Sequence, residues 1–351
     1  MADANTERRA GLARRGFLRK LAGSLGVSAL LACSVAAGST AAAPAFPGAT
    51  PVAGADGAVL AVAADPTTTH GAIDAVLSGA SFDVTGTVSI YVAGETVAVD
   101  AYLNGALADT QTVPIAPAAT GTGGTFTASF ALGGAGQLTV QATHDLTAAQ
   151  ELLVSDPIYV SLVTPNLKPG HRGLAVRLLQ SYLRRGHFVI GKPGVFDART
   201  QRAVLAFRKL ADMKRTMVAN TAVFNGLAAG RGKFRVRYPG HGRHVEGDLT
   251  HQVLALIGVN GKVDRLYPMS SGKPSTPTQP GNFHVWLRRP GTLPDGMVDS
   301  SFFNGGDAVH GYNPDPPYAA SHGCLRVPVP DALSIYDWIG GLGMPVDVYF
   351  R

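Results

Sequence analysis

The chain runs to 351 residues, 46% of them hydrophobic, with only two cysteines, Cys33 and Cys324. That length supports more than one buried core, and so few thiols exclude a disulfide-stapled fold. The formal charge of +6 is a balance of unlike parts. Residues 1–20 carry six Lys/Arg and two acids, 21–157 ten acids and no Lys or Arg, 166–233 fourteen Lys/Arg and two acids, and 234–351 ten of each sign. Such segregation argues for separate domains. The excess cations sit in a leader and one module, so they give no ground for a nucleic-acid partner.

The first segment, 1–43, reads as an address rather than as structure. Arg14-Arg15-Gly16-Phe17-Leu18-Arg19-Lys20 fits a twin-arginine export signal, followed by an apolar run from Leu21 to Ala37 that Gly23, Ser24, Gly26 and Ser28 interrupt. The expected location is the cell wall or the outer face of the cytoplasmic membrane. Leu30-Leu31-Ala32-Cys33 has the form of a lipobox, which makes Cys33 a lipidation candidate and a possible membrane tether; ordinary cleavage near Ala41–Ala43 is the favoured alternative. Residues 44–71, poor in large side chains and rich in Ala, Gly, Pro and Thr, are expected to form a flexible linker.

From 72 to 157 the pattern alternates. Val97, Val99, Ala101 and Leu103 share one face, Asn104-Gly105 follows as a tight hairpin turn, and Phe126, Ala128, Phe130 and Leu132, then Leu138, Val140 and Ala142, repeat the period of two. This predicts an immunoglobulin-like sandwich without a disulfide. No chemistry is visible in it, and a spacer role is expected, with partner binding as the alternative.

Residues 166–230 switch to a helical period. Leu174, Leu178 and Tyr182 are spaced by four, with Leu179 and Leu183 beside them and Gly186 as a stop. Asp197 is placed to cap a second helix that buries Val204, Phe207 and Leu210, and Asn220 to cap a short third one. The run LKPGHRGLAVRLLQSYL…GVFDARTQRAVLAFRK resembles a three-helix peptidoglycan-binding module. Its net +12 is more than solubility needs, and wall carboxylates and phosphates are the expected counter-surface.

The chemistry concentrates in Ala308–Pro328, AVHGYNPDPPYAASHGCLRVP. A lone cysteine with histidines near it is a candidate nucleophile, and a thiol with a reference pKa of about 8.5 needs a base close by. His310 and His322 are the two candidates. Gly311 and Gly323 let backbone come close to a substrate, and the N–H groups of His322, Gly323 and Cys324 are candidate oxyanion donors. A loop with Pro314, Pro316 and Pro317 carries the chain back from His310 to Cys324.

A His, a loop, then Ser-His-Gly-Cys with Arg326 two positions after the thiol resembles the L,D-transpeptidase (YkuD-like) catalytic domain. The upstream text His251–Trp286, with its Ser-Gly-Lys-Pro-x-Thr-Pro-Thr turn, is similar to that family's first strands, so the likeness spans residues 234–351. Together with the Ig-like β-sandwich and the small three-helix module read above, it implies a multidomain, mainly β chain that ends in a β-rich catalytic domain. It implies peptidoglycan as substrate, Cys324 as nucleophile, His310 as base, and Gly311 as the residue whose carbonyl orients that base. Such a pair would rest as thiolate and imidazolium. His322 is then expected to be structural. Arg326 is expected to face a substrate carboxylate or fix the loop, Ser321 to buttress or contact substrate, and Tyr312 and Tyr318 to line the pocket. The loop is short, with 13 residues between His310 and Cys324.

The leading activity is cysteine acyl transfer from a tetrapeptide stem, releasing D-alanine, to an acceptor amine. The same thiol with water as acceptor gives an L,D-carboxypeptidase or endopeptidase. A wall anchor without catalysis is the reading from another class. A zinc site of His310, His322 and Cys324 is disfavoured, because His-Gly-Cys puts two ligands only two residues apart. No cofactor or metal is implied, and a monomer is expected.

Overall fold

The computed structural model describes residues 48–54, 59–64 and 75–351. The twin-arginine motif at Arg14-Arg15 and the lipidation candidate Cys33 lie outside the described residues. Among the described residues no helix is long and apolar enough to cross a membrane.

Ten strands form the first layer pair: β1 (Leu60–Ala64), β2 (Ala75–Leu77), β3 (Phe82–Val88), β4 (Thr96–Leu103), β5 (Ala106–Pro114), β6 (Ala116–Pro117), β7 (Gly124–Phe130), β8 (Gly136–His144), β9 (Leu153–Val154) and β10 (Ile158–Val163). One sheet runs β1-β3-β7-β6; the other runs β2-β10-β8-β4-β5, with β9 on β8. β1 edges one sheet beside β3, and β2 edges the other, joining β10 in parallel, which is the order of an immunoglobulin-like sandwich. Its core holds Phe82 and Phe130, stacked at 5.7 Å, with Val84, Val97, Val99, Leu138 and Val140 fully buried around them. Asn104 and Gly105, at φ 51° and 83°, make the hairpin turn expected of that dipeptide.

The linker expected over 44–71 is not wholly a linker. Residues 60–64 pair antiparallel with β3, and Val52 bridges Val154. Leu60 buries its side chain in the sandwich core. The Ala-rich composition concealed a short edge strand whose partner is supplied only by the fold.

Helices α1 (Leu174–Arg185), α2 (Ala198–Leu210) and α3 (Thr221–Ala228) follow. The Asp197 and Asn220 carboxylate and amide oxygens accept from the Thr200 and Val223 N–H groups, so both caps form as their residue types dictate. Leu178, Leu179 and Leu183 are fully buried, whereas Leu210 is only partly covered. Gly186 ends α1, but at φ −83°. The left-handed residue is His187, at φ 65°. A side chain at 186 would strike the Phe188 ring, so close packing, not backbone freedom, requires glycine there.

The last region contains β11 (His244–Asp248), β12 (Val253–Ile257), β13 (Val263–Pro268), β14 (Gly281–His284), β15 (Leu287–Thr292), β16 (Val298–Asn304), β17 (Asp307–Gly311), β18 (Leu325–Val327), α4 (Val329–Ile339) and β19 (Pro345–Tyr349). They build a five-stranded sheet, β13-β12-β11-β19-β14, and a four-stranded one, β15-β16-β17-β18. β12 reads VLALI and is buried at every position, the pattern of a strand covered on both faces. Leu254 and Leu256 join the core between the two sheets, while Val253, Ala255 and Ile257 join the core of the helices. The three-helix module and this region therefore share one core.

The module's charge is partly spent on the same seam. Lys209, 2% exposed, donates to the Gln252 and Met269 carbonyls at 2.9 and 2.8 Å. Burial pushes its pKa down to about 7. Arg199 and Arg202 both pair with Asp331 of α4. Arg215 donates to the carbonyls of Pro317 and Thr250 at 3.2 and 2.9 Å. Lys209 and Arg208 are thus buried and Arg199 and Arg202 half-buried, while most of the module's cations remain exposed.

Without the helices, Val253, Ile257 and Leu266 would meet water at about 1.5–3 kcal/mol each, against a domain stability of about 5–15 kcal/mol. Residues 234–351 expressed alone should accordingly aggregate, while 166–351 should be soluble and unfold in one urea transition followed by circular dichroism. A soluble, cooperative 234–351 fragment would contradict the shared core.

Candidate active site

The histidine and the thiol come from neighbouring strands. β17 and β18 pair in parallel, with Val309 opposite Leu325 and His310 opposite Arg326. Cys324 immediately precedes β18 and therefore falls beside Ala308, two residues along from the histidine. Its Sγ lies 3.7 Å from the Gly306 carbonyl. Cys324 is half-buried and is the free thiol of the described residues.

The turn that presents the thiol is held from below by the Ser271–Thr278 loop. Ala320 and Ser321 both donate their N–H to the Ser271 carbonyl, at 2.8 and 2.9 Å, and Lys273 N–H donates to the Ser321 carbonyl at 2.9 Å. Thr278 Oγ1 donates to the Gly323 carbonyl at 2.6 Å and accepts from the Gly272 N–H at 2.8 Å. Ser321 is fully buried. Its hydroxyl donates to the Cys324 carbonyl at 2.6 Å and accepts from the Gly323 N–H at 3.2 Å. Two expectations change here. Ser321 is a buttress with no surface for substrate, and the Gly323 N–H is already engaged, so it is not an open oxyanion donor. Gly323 is glycine for another reason: φ is 133°, and a Cβ would sit 2.0 Å from Asp307 Oδ1.

His310 is 2% exposed, and its Nδ1 lies 2.9 Å from the Gly311 carbonyl. A carbonyl only accepts, so Nδ1 carries the proton and Nε2 the lone pair. Gly311 does not approach a substrate. A Cβ there would lie 2.6 Å from the Ala332 Cβ of α4, so this glycine lets the helix pack against β17. Tyr312 meets the His310 ring edge to face at 5.7 Å, and the Arg326 guanidinium lies 4.1 Å over the Tyr312 ring. Arg326 also donates to the Ala320 carbonyl at 3.5 Å, and is thus a loop brace stacked on an aromatic. Tyr318 points outward, 60% exposed, while its carbonyl accepts from Ser270 Oγ at 2.7 Å. His322 is exposed, with Nε2 3.0 Å from Lys273 Nζ.

The pair rests neutral, contrary to the thiolate–imidazolium expectation. Burial pushes the His310 imidazole down to about 4, and the Arg326 charge adds to this. Burial raises the Cys324 thiol above its ordinary value; the Asp307 carboxylate raises it further, and a backbone hydrogen bond at Ala308 and the Arg326 charge only partly oppose this. Asp307, half-buried at the start of β17, was not singled out from the sequence. Its only sequence signal is the Asn-Gly-Gly-Asp hairpin ahead of His310. The Thr278 contact was better signalled, by the Ser-Gly-Lys-Pro-x-Thr-Pro-Thr turn.

Both groups titrate away from neutrality, so iodoacetamide alkylation of Cys324 should rise through a single step centred above the free-thiol value of about 8.5, without a plateau at neutral pH. A thiolate plateau between pH 5 and 8 would contradict the neutral pair.

Comparison with known proteins identifies the region that holds these residues. The family described as the YkuD L,D-transpeptidase catalytic domain matches residues 242–348. No curated protein sequence matches the chain. Among solved structures, the L,D-transpeptidase of Xylanimonas cellulosilytica is 30% identical, covering 53% of this chain and 98% of that one, with a TM-score of 0.48. That of Stackebrandtia nassauensis is 22% identical over 53% of this chain and 96% of its own, with a TM-score of 0.33. That of Mycobacterium smegmatis is 14% identical over 83% and 99%, with a TM-score of 0.27. The chain belongs to the L,D-transpeptidase family, with its YkuD catalytic domain at residues 242–348.

Proposed function

We propose that the chain cross-links peptidoglycan by cysteine acyl transfer. Cys324 Sγ attacks the carbonyl of the third residue in a tetrapeptide stem while its proton passes to His310 Nε2. The tetrahedral adduct collapses to a thioester as the His310 proton goes to the departing D-alanine amine. The acceptor amine then attacks the thioester; a C–N bond forms, the C–S bond breaks, and His310 carries the amine proton to the leaving sulfur. The observation that supports this most is the placement of a buried, Nδ1-protonated histidine and a half-buried thiol on adjacent strands. Oxyanion donors are assigned to the main-chain N–H groups of His322 and Cys324, since Ser321 occupies that of Gly323.

The neutral resting pair suits this scheme. A histidine that stays unprotonated down to about pH 4 is available as a base throughout the neutral range, and a thiol above its ordinary pKa loses its proton only as the new bond forms. In the full chain, D-alanine release from a tetrapeptide donor should vanish in Cys324→Ala and fall about 10²–10⁴-fold in His310→Ala. The acid limb of kcat/KM should lie near pH 4 rather than near 6.5. Mass spectrometry of the products separates cross-linked dimer from the free tripeptide that water would give. D-alanine release that survives Cys324→Ala would refute the assignment.

Export by the twin-arginine leader, with Cys33 either lipidated or removed, places the enzyme at the wall in this reading. The three-helix module contributes affinity for the wall through its outward cations, such as Arg184, Lys192 and Lys214. Binding of the full chain to purified sacculi should weaken as salt rises, because exposed charges are screened within about 8 Å at physiological ionic strength. Binding indifferent to salt would remove the electrostatic role of the module.

A further inference from the structure

The carboxylate beside the thiol is unexplained by the acyl-transfer scheme. Asp307 lies between Gly306, whose carbonyl faces Sγ at 3.7 Å, and Ala308, whose backbone bonds to the same thiol. Its Oδ1 crowds Gly323 so closely that no side chain fits at 323. Among the described residues it has no hydrogen-bonded partner and no ion pair; the nearby Arg326 is spent on Tyr312 and Ala320. An anion in this place works against the nucleophile, since it favours the protonated thiol. A half-buried charge without a partner is also costly to keep. Both costs disappear if the cation arrives with the substrate.

On the proposed transpeptidase reading, the substrate brings such a cation: the side-chain ammonium of a diamino acid in the stem peptide. We infer that Asp307 is a specificity residue that receives this ammonium next to the Cys324 thioester. The carboxylate holds the ammonium by charge-assisted hydrogen bonds. One proton leaves to solvent before attack, and the second passes to His310 as the C–N bond forms and the C–S bond breaks. The ammonium chemistry is shared by two chains in the reaction, the acceptor stem and the donor stem, and the two are separable by step.

The test uses the full chain as wild type, Asp307→Asn and Asp307→Glu. Two donors are compared, tetrapeptides whose diamino side chain is free or N-acetylated, each with and without a free-amine tripeptide acceptor. D-alanine release reads acylation; the ratio of cross-linked product to hydrolysed tripeptide reads transfer. Asp307→Asn is expected to lower the ammonium-dependent step about tenfold relative to acylation by the N-acetylated donor, and to be partly rescued by Asp307→Glu. A loss confined to transfer identifies the acceptor's ammonium; a loss confined to acylation by the free-amine donor identifies the donor's. Equal losses with charged and neutral substrates would overturn the inference. Alkylation by iodoacetamide gives a readout independent of the reaction: its midpoint should fall in Asp307→Asn, and an unmoved midpoint would show that the carboxylate does not act at the thiol. If the wild type releases no D-alanine, the transpeptidase reading fails and the ammonium inference with it, whereas a wild type that transfers normally beside an indiscriminate Asp307→Asn defeats the inference alone.

Discussion

β12 is the strand on which everything downstream rests. Five apolar residues in a row, Val253–Ile257, are buried with no polar relief, and a strand of that kind folds only if something covers each side. One side is met by the second sheet, through Leu254 and Leu256; the other is met by helices that precede the catalytic region in sequence. This demand makes the module a structural part of the catalytic unit. Lys209 pins the carbonyls of Gln252 and Met269 at that seam. From Met269 the chain passes directly into Ser270, which pairs with Arg326 by two backbone hydrogen bonds of 2.9 Å.

The active turn is thus the end of a chain of supports. Gln252 grips Ser271 through both its side-chain amide atoms. Ser271 holds Ala320 and Ser321, and Ser321 in turn ties Gly323 and the Cys324 carbonyl. On the other flank, α4 presses on β17 at the one position, Gly311, where a side chain would not fit. The Gly311 carbonyl on that strand fixes the histidine tautomer. A thiol presented by so many main-chain contacts is pre-organised, as the proposed acyl transfer requires.

Burial sets the electrostatics more than ion pairing does. The same low-dielectric surroundings that depress His310 also raise Cys324, because desolvation penalises whichever form is charged. Sequence proximity suggested an ion pair, and sequence proximity says nothing about dielectric. The two nearby charges, Arg326 and Asp307, then push the thiol in opposite directions.

Composition, spacing and turn chemistry were readable directly. Alternation at 97–103, the Asn104-Gly105 turn, the caps at Asp197 and Asn220, and the His310 and Cys324 constellation all depend on neighbours close in the chain, where local rules act. Four things needed the fold. An Ala-rich edge strand at 60–64 is stabilised by a partner elsewhere and carries little signal of its own. The reason for each glycine in the site, Ala332 against Gly311 and Asp307 against Gly323, is a contact between segments that no spacing encodes. The burial of Lys209 reverses what its charge implied, because composition counts charges without showing which way they face. The resting protonation of the pair, finally, depends on burial, and burial is a property of the assembled molecule alone.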